Sequence, residues 1–144
     1  MKYKIKKLDE EILRNYSGLF KSLQNMTFAP EINLKESLEI FEKIKAQNGN
    51  IYVVLTKKEI IGTAKILIEQ KFIRGGAKVG HIEDVSIHED YTGKGIGKRL
   101  LEKCMEKAKK ENCYKIILNC NESLINFYKK DGFKEHSICM RKDL

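Results

Sequence analysis

The sequence predicts a mixed α/β fold, a central β-sheet with helices packed on both faces, in the order β-α-α-β-β-β-α-β-α-β. Three observations carry this expectation. β-branched runs fill the middle of the chain, at residues 51–56, 60–70 and 77–88. Turn signals separate them: Asn48-Gly49-Asn50, Lys57-Lys58-Glu59 and Gly75-Gly76. Apolar residues at helical spacing lie on either side.

Residues 3–8 read as a short edge strand. Ile12, Tyr16, Leu19, Leu23 and Met26, with Leu13 and Phe20, then form one helical stripe, which Pro30 terminates by pushing the preceding residue out of the α region. A second helix starts at Asn33, with Glu36 at the capping-box position and Leu34, Leu38, Phe41 and Ile44 on its buried face. The three central strands follow. The best-defined helix comes next, with Ile96, Leu100, Leu101, Cys104, Met105 and Ala108 on one face and Lys98, Arg99, Glu102, Lys103 and Glu106 on the other. Residues 115–120 form a compact apolar strand, 123–129 a short helix, and 133–141 a closing strand.

The 144 residues amount to one domain, and no Pro/Gly/Ser-rich linker or repeat divides them. Lys and Arg number 28 against 20 Asp and Glu, a net charge of +8 that invites a polyanionic partner. Nucleic acid is the first class to consider, but lysines alternate with glutamates along the helices and no groove-reading or base-stacking motif is present. No apolar run approaches the ~20 residues of a membrane span, and no apolar segment follows the basic N-terminus as in an export signal. Cys104, Cys113, Cys120 and Cys139 lack metal-site spacing, so no metal is expected, and they fit a reducing cytoplasm.

The motif that carries chemistry is Gly93-Lys94-Gly95-Ile96-Gly97-Lys98, between a strand and the long helix. Alternating glycines let the backbone approach a ligand, and their amides run into a helix N-terminus that favours an anion such as pyrophosphate. Two phosphate motifs are excluded by spacing. Gly97-Lys98 is followed by Arg99, against a Walker A loop, and G-x-G-x-G is not the dinucleotide fingerprint. A plain glycine turn capping the helix remains open on these residues alone.

The segment is similar to the acetyl-CoA-binding signature of the GNAT superfamily of N-acetyltransferases. Four further segments resemble the glucosamine-6-phosphate N-acetyltransferase family within it: Gly80-His81-Ile82-Glu83-Asp84-Val85, Lys71-Phe72-Ile73-Arg74, Cys113-Tyr114-Lys115-Ile116-Ile117-Leu118, and Phe127-Tyr128-Lys129-Lys130-Asp131-Gly132-Phe133. The resemblance implies a GNAT fold with a splayed strand or β-bulge at Asp84–Ile87, and acetyl transfer from acetyl-CoA to the 2-amino group of glucosamine 6-phosphate in a ternary complex, feeding UDP-N-acetylglucosamine synthesis.

It also implies residue roles. Val85, Ser86 and Ile87 would align the thioester and pantetheine arm, with the Val85 N–H facing the carbonyl, while residues 93–98 hold the pyrophosphate. Tyr128 would protonate the departing thiolate, since a phenol of pKa ≈ 10 is protonated at neutral pH. Glu83 and Asp84 would contact the sugar and polarise its amine. Asn119 stands where relatives carry a carboxylate, and an amide can only hydrogen-bond that amine. Lys71, Arg74 and Lys115 are the phosphate candidates, with Phe72, Ile73, Tyr114 and Thr27 beside the substrate. Tyr114-Lys115 would reach the neighbouring subunit's sugar, so the resemblance implies a homodimer with shared sites. Leu124 replaces an Asn that holds the pantetheine arm, and the tail places no arginine cleanly, leaving Arg141 or Lys142. Histidines 81, 88 and 136 receive no role. The alternatives are a GNAT enzyme for another amine (free glucosamine, a polyamine or a protein N-terminus) and a non-catalytic acyl-CoA-binding domain.

Overall fold

Isoleucine and valine dominate the central runs, and each run becomes a strand. The computed structural model describes residues 1–144. Five strands, β1 (Lys4–Lys7), β2 (Gly49–Leu55), β3 (Ile60–Gln70), β4 (Lys78–Ile87) and β5 (Cys113–Leu118), form one sheet in sequential order. The first four pair antiparallel and β4–β5 is parallel, giving the expected mixed sheet. A parallel pair needs a crossover. It is supplied by α5 (Ile96–Lys110), the long amphipathic helix.

The buried stripe of α5, Leu100, Leu101, Cys104 and Ala108, packs with Val54, Ile61, Ile66 and Ile82 of the sheet to form the main core. The approach is close because Gly80 faces the helix. A Cβ there would come within 3.1 Å of the Ile66 side chain and 3.4 Å of Ala108. The opposite face is covered by α1 (Glu10–Asn15), α2 (Leu19–Gln24) and α3 (Leu34–Ala46). Leu8, Ile12 and Phe41 pack there on Val53, Leu55 and Ile60. Asn33 caps α3 as expected, accepting the Glu36 N–H at 2.9 Å.

Two expectations need correction. The single helix over residues 12–26 is two, because the chain turns extended at Tyr16 and left-handed at Gly18 (φ 95°). Sheet contact overrides the helical stripe here. Ser17 bridges to Glu59, its carbonyl accepts the Ile60 N–H at 2.8 Å, and a Cβ on Gly18 would collide with the Ile60 carbonyl. The closing strand over residues 133–141 does not form. After α6 (Ile125–Lys129) the chain runs out with no ladder partner, and β5 remains an unpaired edge. Apolar alternation alone does not make a strand: the segment must also pair with an edge, and here it does not take up the open side of β5.

All four cysteines are free: Cys104 is buried, Cys113 partly so, and Cys120 and Cys139 are exposed. Burial pushes the Cys104 thiol from its ordinary 9.0 up to about 12. The folded chain therefore keeps a proton that the unfolded chain releases near pH 9, and that contribution to stability fades as pH rises from 9 towards 12. A thiol reagent followed by peptide mass mapping should label Cys120 and Cys139 first and Cys104 only on unfolding. Denaturation midpoints should fall as pH rises above 9, and a Cys104→Ala variant should lose part of that slope.

Candidate active site

The site begins with an irregularity in β4. From Gln70↔Lys78 to Lys65↔Glu83 the strand pairs with β3 in step, and pairing resumes at Thr63↔Ser86 and Gly62↔Ile87. Between these, β3 supplies only Ala64 while β4 supplies Asp84 and Val85, so β4 carries one extra residue. Asp84 takes up the bulge in the left-handed region at φ 52°, which short polar side chains tolerate better than most. The bulge expected at Asp84–Ile87 is present.

On its other side, β4 pairs with β5 only as far as Ile82↔Leu118. Beyond that point the ladder ends, leaving Glu83–Ile87 without a β5 partner, and Asn119 is the first residue after β5. Glu83 and Asn119 are both exposed there.

The glycine loop leads from the end of β4 into α5. Gly93 and Gly95 both adopt φ 74°, and a Cβ on either would meet nothing. Gly95 is the N-cap of α5 and offers no side-chain cap, and the first intrahelical bond is Arg99 N–H to the Gly95 carbonyl at 3.4 Å. The amides of Ile96, Gly97 and Lys98 thus form an uncapped helix start suited to an anion. Lys94 lies 5.1 Å from the centre of the Tyr91 ring. Buried His88 shapes the approach to the loop. Its Nδ1 accepts the Asp90 N–H at 3.2 Å, and its ring meets Tyr91 edge-on at 5.7 Å.

Tyr128 on α6 is almost fully buried, with edge contacts to Phe127 (4.9 Å) and Phe133 (5.9 Å). Burial, then the nearby Cys120 and Cys104 sulfurs, raises its hydroxyl above the usual phenol value. Gly97, Phe127 and Ile87 converge on one point, since a Cβ on Gly97 would lie 3.5 Å from Phe127 and 4.0 Å from Ile87. The start of α5, the end of β4 and α6 are thereby held together.

Sequence reasoning missed a set of residues that hold the bulge from behind. Asn25 Nδ2 donates to the Ile87 carbonyl at 2.7 Å, Ser86 Oγ donates to the Ser22 carbonyl at 2.6 Å, and Ser22 Oγ donates to the Ile60 carbonyl at 3.2 Å. Lys65 Nζ lies 3.2 Å from Asp84 Oδ2. Ser86, expected at the cofactor, directs its hydroxyl to α2 and leaves only its backbone on the side without a β5 partner. Thr27 follows two residues after Asn25, its N–H bonded to the Leu23 carbonyl at 3.2 Å. These contacts join positions up to 64 apart, and no local pattern announces them.

The remaining expected residues form a second group. The β3–β4 connection contains Lys71, fully exposed Phe72 and the one-turn α4 (Ile73–Gly76), with Arg74 at φ 54°. The Arg74 guanidinium stacks 4.6 Å from the Tyr114 ring centre, and Lys115 Nζ lies 5.4 Å from it. Lys115 is level with Val79, four residues from Glu83. At about 3.3 Å per residue that is ~13 Å along β4; the Lys71 backbone, bonded to the Ala77 carbonyl, is farther still, but its ammonium reaches back to Glu69. Leu124 is exposed at the start of α6, and Arg141 pairs in solvent with Asp143 at 2.7 Å, joining neither group.

Residues 17–133 match the family model of the acetyltransferase (GNAT) family, over a fold whose splayed strand and uncapped glycine loop fit that assignment. The chain belongs to the GNAT acetyltransferase family. Across 140 residues this GNAT acetyltransferase is 36% identical to the glucosamine 6-phosphate N-acetyltransferase of Trypanosoma brucei brucei, covering 95% of the chain and 92% of that protein. It is 34% identical over 144 residues to the Arabidopsis thaliana protein of the same name, covering 97% and 95%. The crystal structure of glucosamine-6-phosphate N-acetyltransferase from Arabidopsis thaliana superposes with a TM-score of 0.91 at 33% identity, covering 99% of each chain.

If Asn25 fixes the Ile87 carbonyl, Asn25→Ala should lower kcat/KM for acetyl-CoA roughly tenfold, the worth of about one hydrogen bond. The melting temperature should barely move, because the side chain is exposed. Paired steady-state kinetics and thermal melts check both halves.

Proposed function

We propose that the chain transfers the acetyl group of acetyl-CoA directly to the 2-amino group of glucosamine 6-phosphate in a ternary complex. The observation that carries this reading is the β4 bulge where the β5 ladder ends, followed by an uncapped, glycine-led helix start. The relatives' activity supplies the acceptor. Acetyl-CoA would bring an activated thioester, its pyrophosphate on the amides of residues 95–98 with Lys94 and Lys98 nearby, and its pantetheine arm along Val85–Ile87.

Each chemical task then has a residue. The Val85 N–H, released from regular pairing by the bulge, faces the thioester carbonyl and stabilises the negative charge that develops there. Asp84 is occupied by Lys65, so Glu83 is the carboxylate free to take the ammonium proton, through water, while Asn119 hydrogen-bonds the amine. As the new N–C bond forms and the C–S bond breaks, the Tyr128 hydroxyl gives its proton to the departing sulfur, and the second proton shed by the acylated nitrogen returns through water to the phenolate. Burial suits Tyr128 to this, because a raised pKa keeps the phenol protonated.

The Lys115 backbone stands ~13 Å along β4 from Glu83, which supports a homodimer in which Tyr114 and Lys115 reach a neighbour's acceptor, whereas the Lys71 ammonium reaches back to Glu69 beside His81. Fully exposed Phe72, Ile138 and Met140 and the unpaired β5 edge fit burial against a second copy. Four free thiols fit a cytoplasmic setting. No helix is long and apolar enough to cross a membrane.

CoA release should be much faster with glucosamine 6-phosphate than with glucosamine, and equal rates would remove phosphate from the specificity. Tyr128→Phe should cut kcat about 10²-fold, the range of a general acid. The alkaline limb of kcat in the unsubstituted chain should lie above pH 10, and Tyr128→Phe should abolish it. Retention of full kcat in that variant would reassign the proton donor.

A further inference from the structure

The proposed function leaves one carboxylate of the phosphate-side group without a task. Glu69 sits one residue from the end of β3, opposite Val79 of β4. Its two oxygens face two different groups. Oε1 pairs with the Lys71 ammonium, and Oε2 lies 3.0 Å from His81 Nε2. His81 belongs to β4, two residues from Glu83 on the same face of the sheet, and is level with Ile117 of β5. One carboxylate therefore links the central strand to the first residue of the β3–β4 connection.

His81 Nε2 is shut off from water and has no aligned hydrogen bond, so its polar demand falls on the Glu69 oxygen beside it. The Lys71 hydrogen bond, aided by the charges of Lys71 and His81, holds the Glu69 carboxyl below the usual carboxylate range and so keeps it anionic at neutral pH. An exposed Lys–Glu pair adds little to stability. What it does supply is direction. A lysine side chain is flexible, and in this group it stands near two other cations, Arg74 and Lys115, that would repel it. An ammonium carries three donors. With one of them on Glu69, two stay open in a fixed place.

We propose that Glu69, anchored by His81, is a positioning residue for phosphate recognition, fixing the Lys71 ammonium with two donors turned to the acceptor's phosphate. This rests on the reading that Lys71 binds that phosphate. The competing role has the opposite sign. A carboxylate that merely competes for Lys71 would repel the phosphate, and its removal would tighten binding.

The test is steady-state kinetics of full-length Glu69→Gln, Lys71→Ala and the double variant, with glucosamine 6-phosphate and with glucosamine as acceptors. Glu69→Gln is nearly isosteric and removes the charge alone. It should raise KM for the phosphorylated sugar roughly two- to tenfold, the cost of ordering one long side chain at binding. kcat, KM for acetyl-CoA and KM for glucosamine should stay within about twofold, which a general structural defect would not allow. The double variant should be no worse than Lys71→Ala, because Glu69 acts only through that lysine. A rise in KM for Lys71→Ala with an unchanged or lowered KM for Glu69→Gln overturns the positioning role and spares the phosphate assignment. An unchanged KM for Lys71→Ala overturns the assignment of Lys71 itself, and the positioning role with it.

Discussion

Backbone pairing in β4 is the constraint on which the site depends. A strand between two neighbours normally spends every N–H and C=O on its ladders, and such a strand has nothing left for a substrate. Here the β5 ladder ends at Leu118, and the extra residue at Asp84–Val85 breaks step with β3 at the same level. The two departures coincide, so one short segment of a buried sheet keeps backbone groups free of a ladder. A bulge of this kind must be held, because a left-handed Asp costs conformational energy that pairing would otherwise recover. Lys65 on one side and α2, through Ser22 and Asn25, on the other supply the restraint. The split between α1 and α2 follows from the same need, since the chain must turn at Gly18 to bring α2 over the bulge.

The net charge of +8 divides into parts with different causes. Lys94 and Lys98 flank the uncapped start of α5, where an anion is favoured. At the other end of the sheet, Lys7, Lys45, Lys78 and Lys107 line a cleft of about 290 Å³. The C-termini of α3 and α5 point there, and helix C-termini carry partial negative charge. Glu111 pairs with Lys78 at 3.4 Å and Lys107 at 2.6 Å. These lysines are accounted for by the helix ends and one carboxylate. Arg74 and Lys115 flank the Tyr114 ring instead, and Lys71 pairs with Glu69.

Periodicity and spacing made most of the fold legible. The three central strands, the capped α3 and amphipathic α5 all follow from local pattern, and local pattern is what a sequence displays. The failures were non-local. The stripe from Ile12 to Met26 is a sound helix until the Ile60 carbonyl arrives at Gly18, and the alternation after Phe133 is a sound strand pattern that does not pair with the open β5 edge. In the site, the glycine loop was readable because its backbone conformation needs particular residues. Asn25, Ser22, Lys65 and Glu69 were not, because each acts through one contact made by the fold. The hydroxyl of Ser86 was equally unreadable, since it donates to the Ser22 carbonyl of α2.

The two groups of site residues lie on one sheet and yet do not meet. From Glu83 to the level of Lys115 is ~13 Å of β4, and the connection bearing Lys71 and Arg74 lies beyond that level. That connection also bears Phe72, which is bare to solvent, on a chain whose β5 edge is unpaired and whose last residues expose Ile138 and Met140. Isolated apolar side chains on a surface need no explanation, but an open strand edge with unpaired apolar chain nearby is a liability that proteins usually cover. A second copy would cover the edge and bring Lys115 to the neighbouring site in one step. Under the proposed homodimer, part of the +8 charge would serve the neighbouring subunit's site.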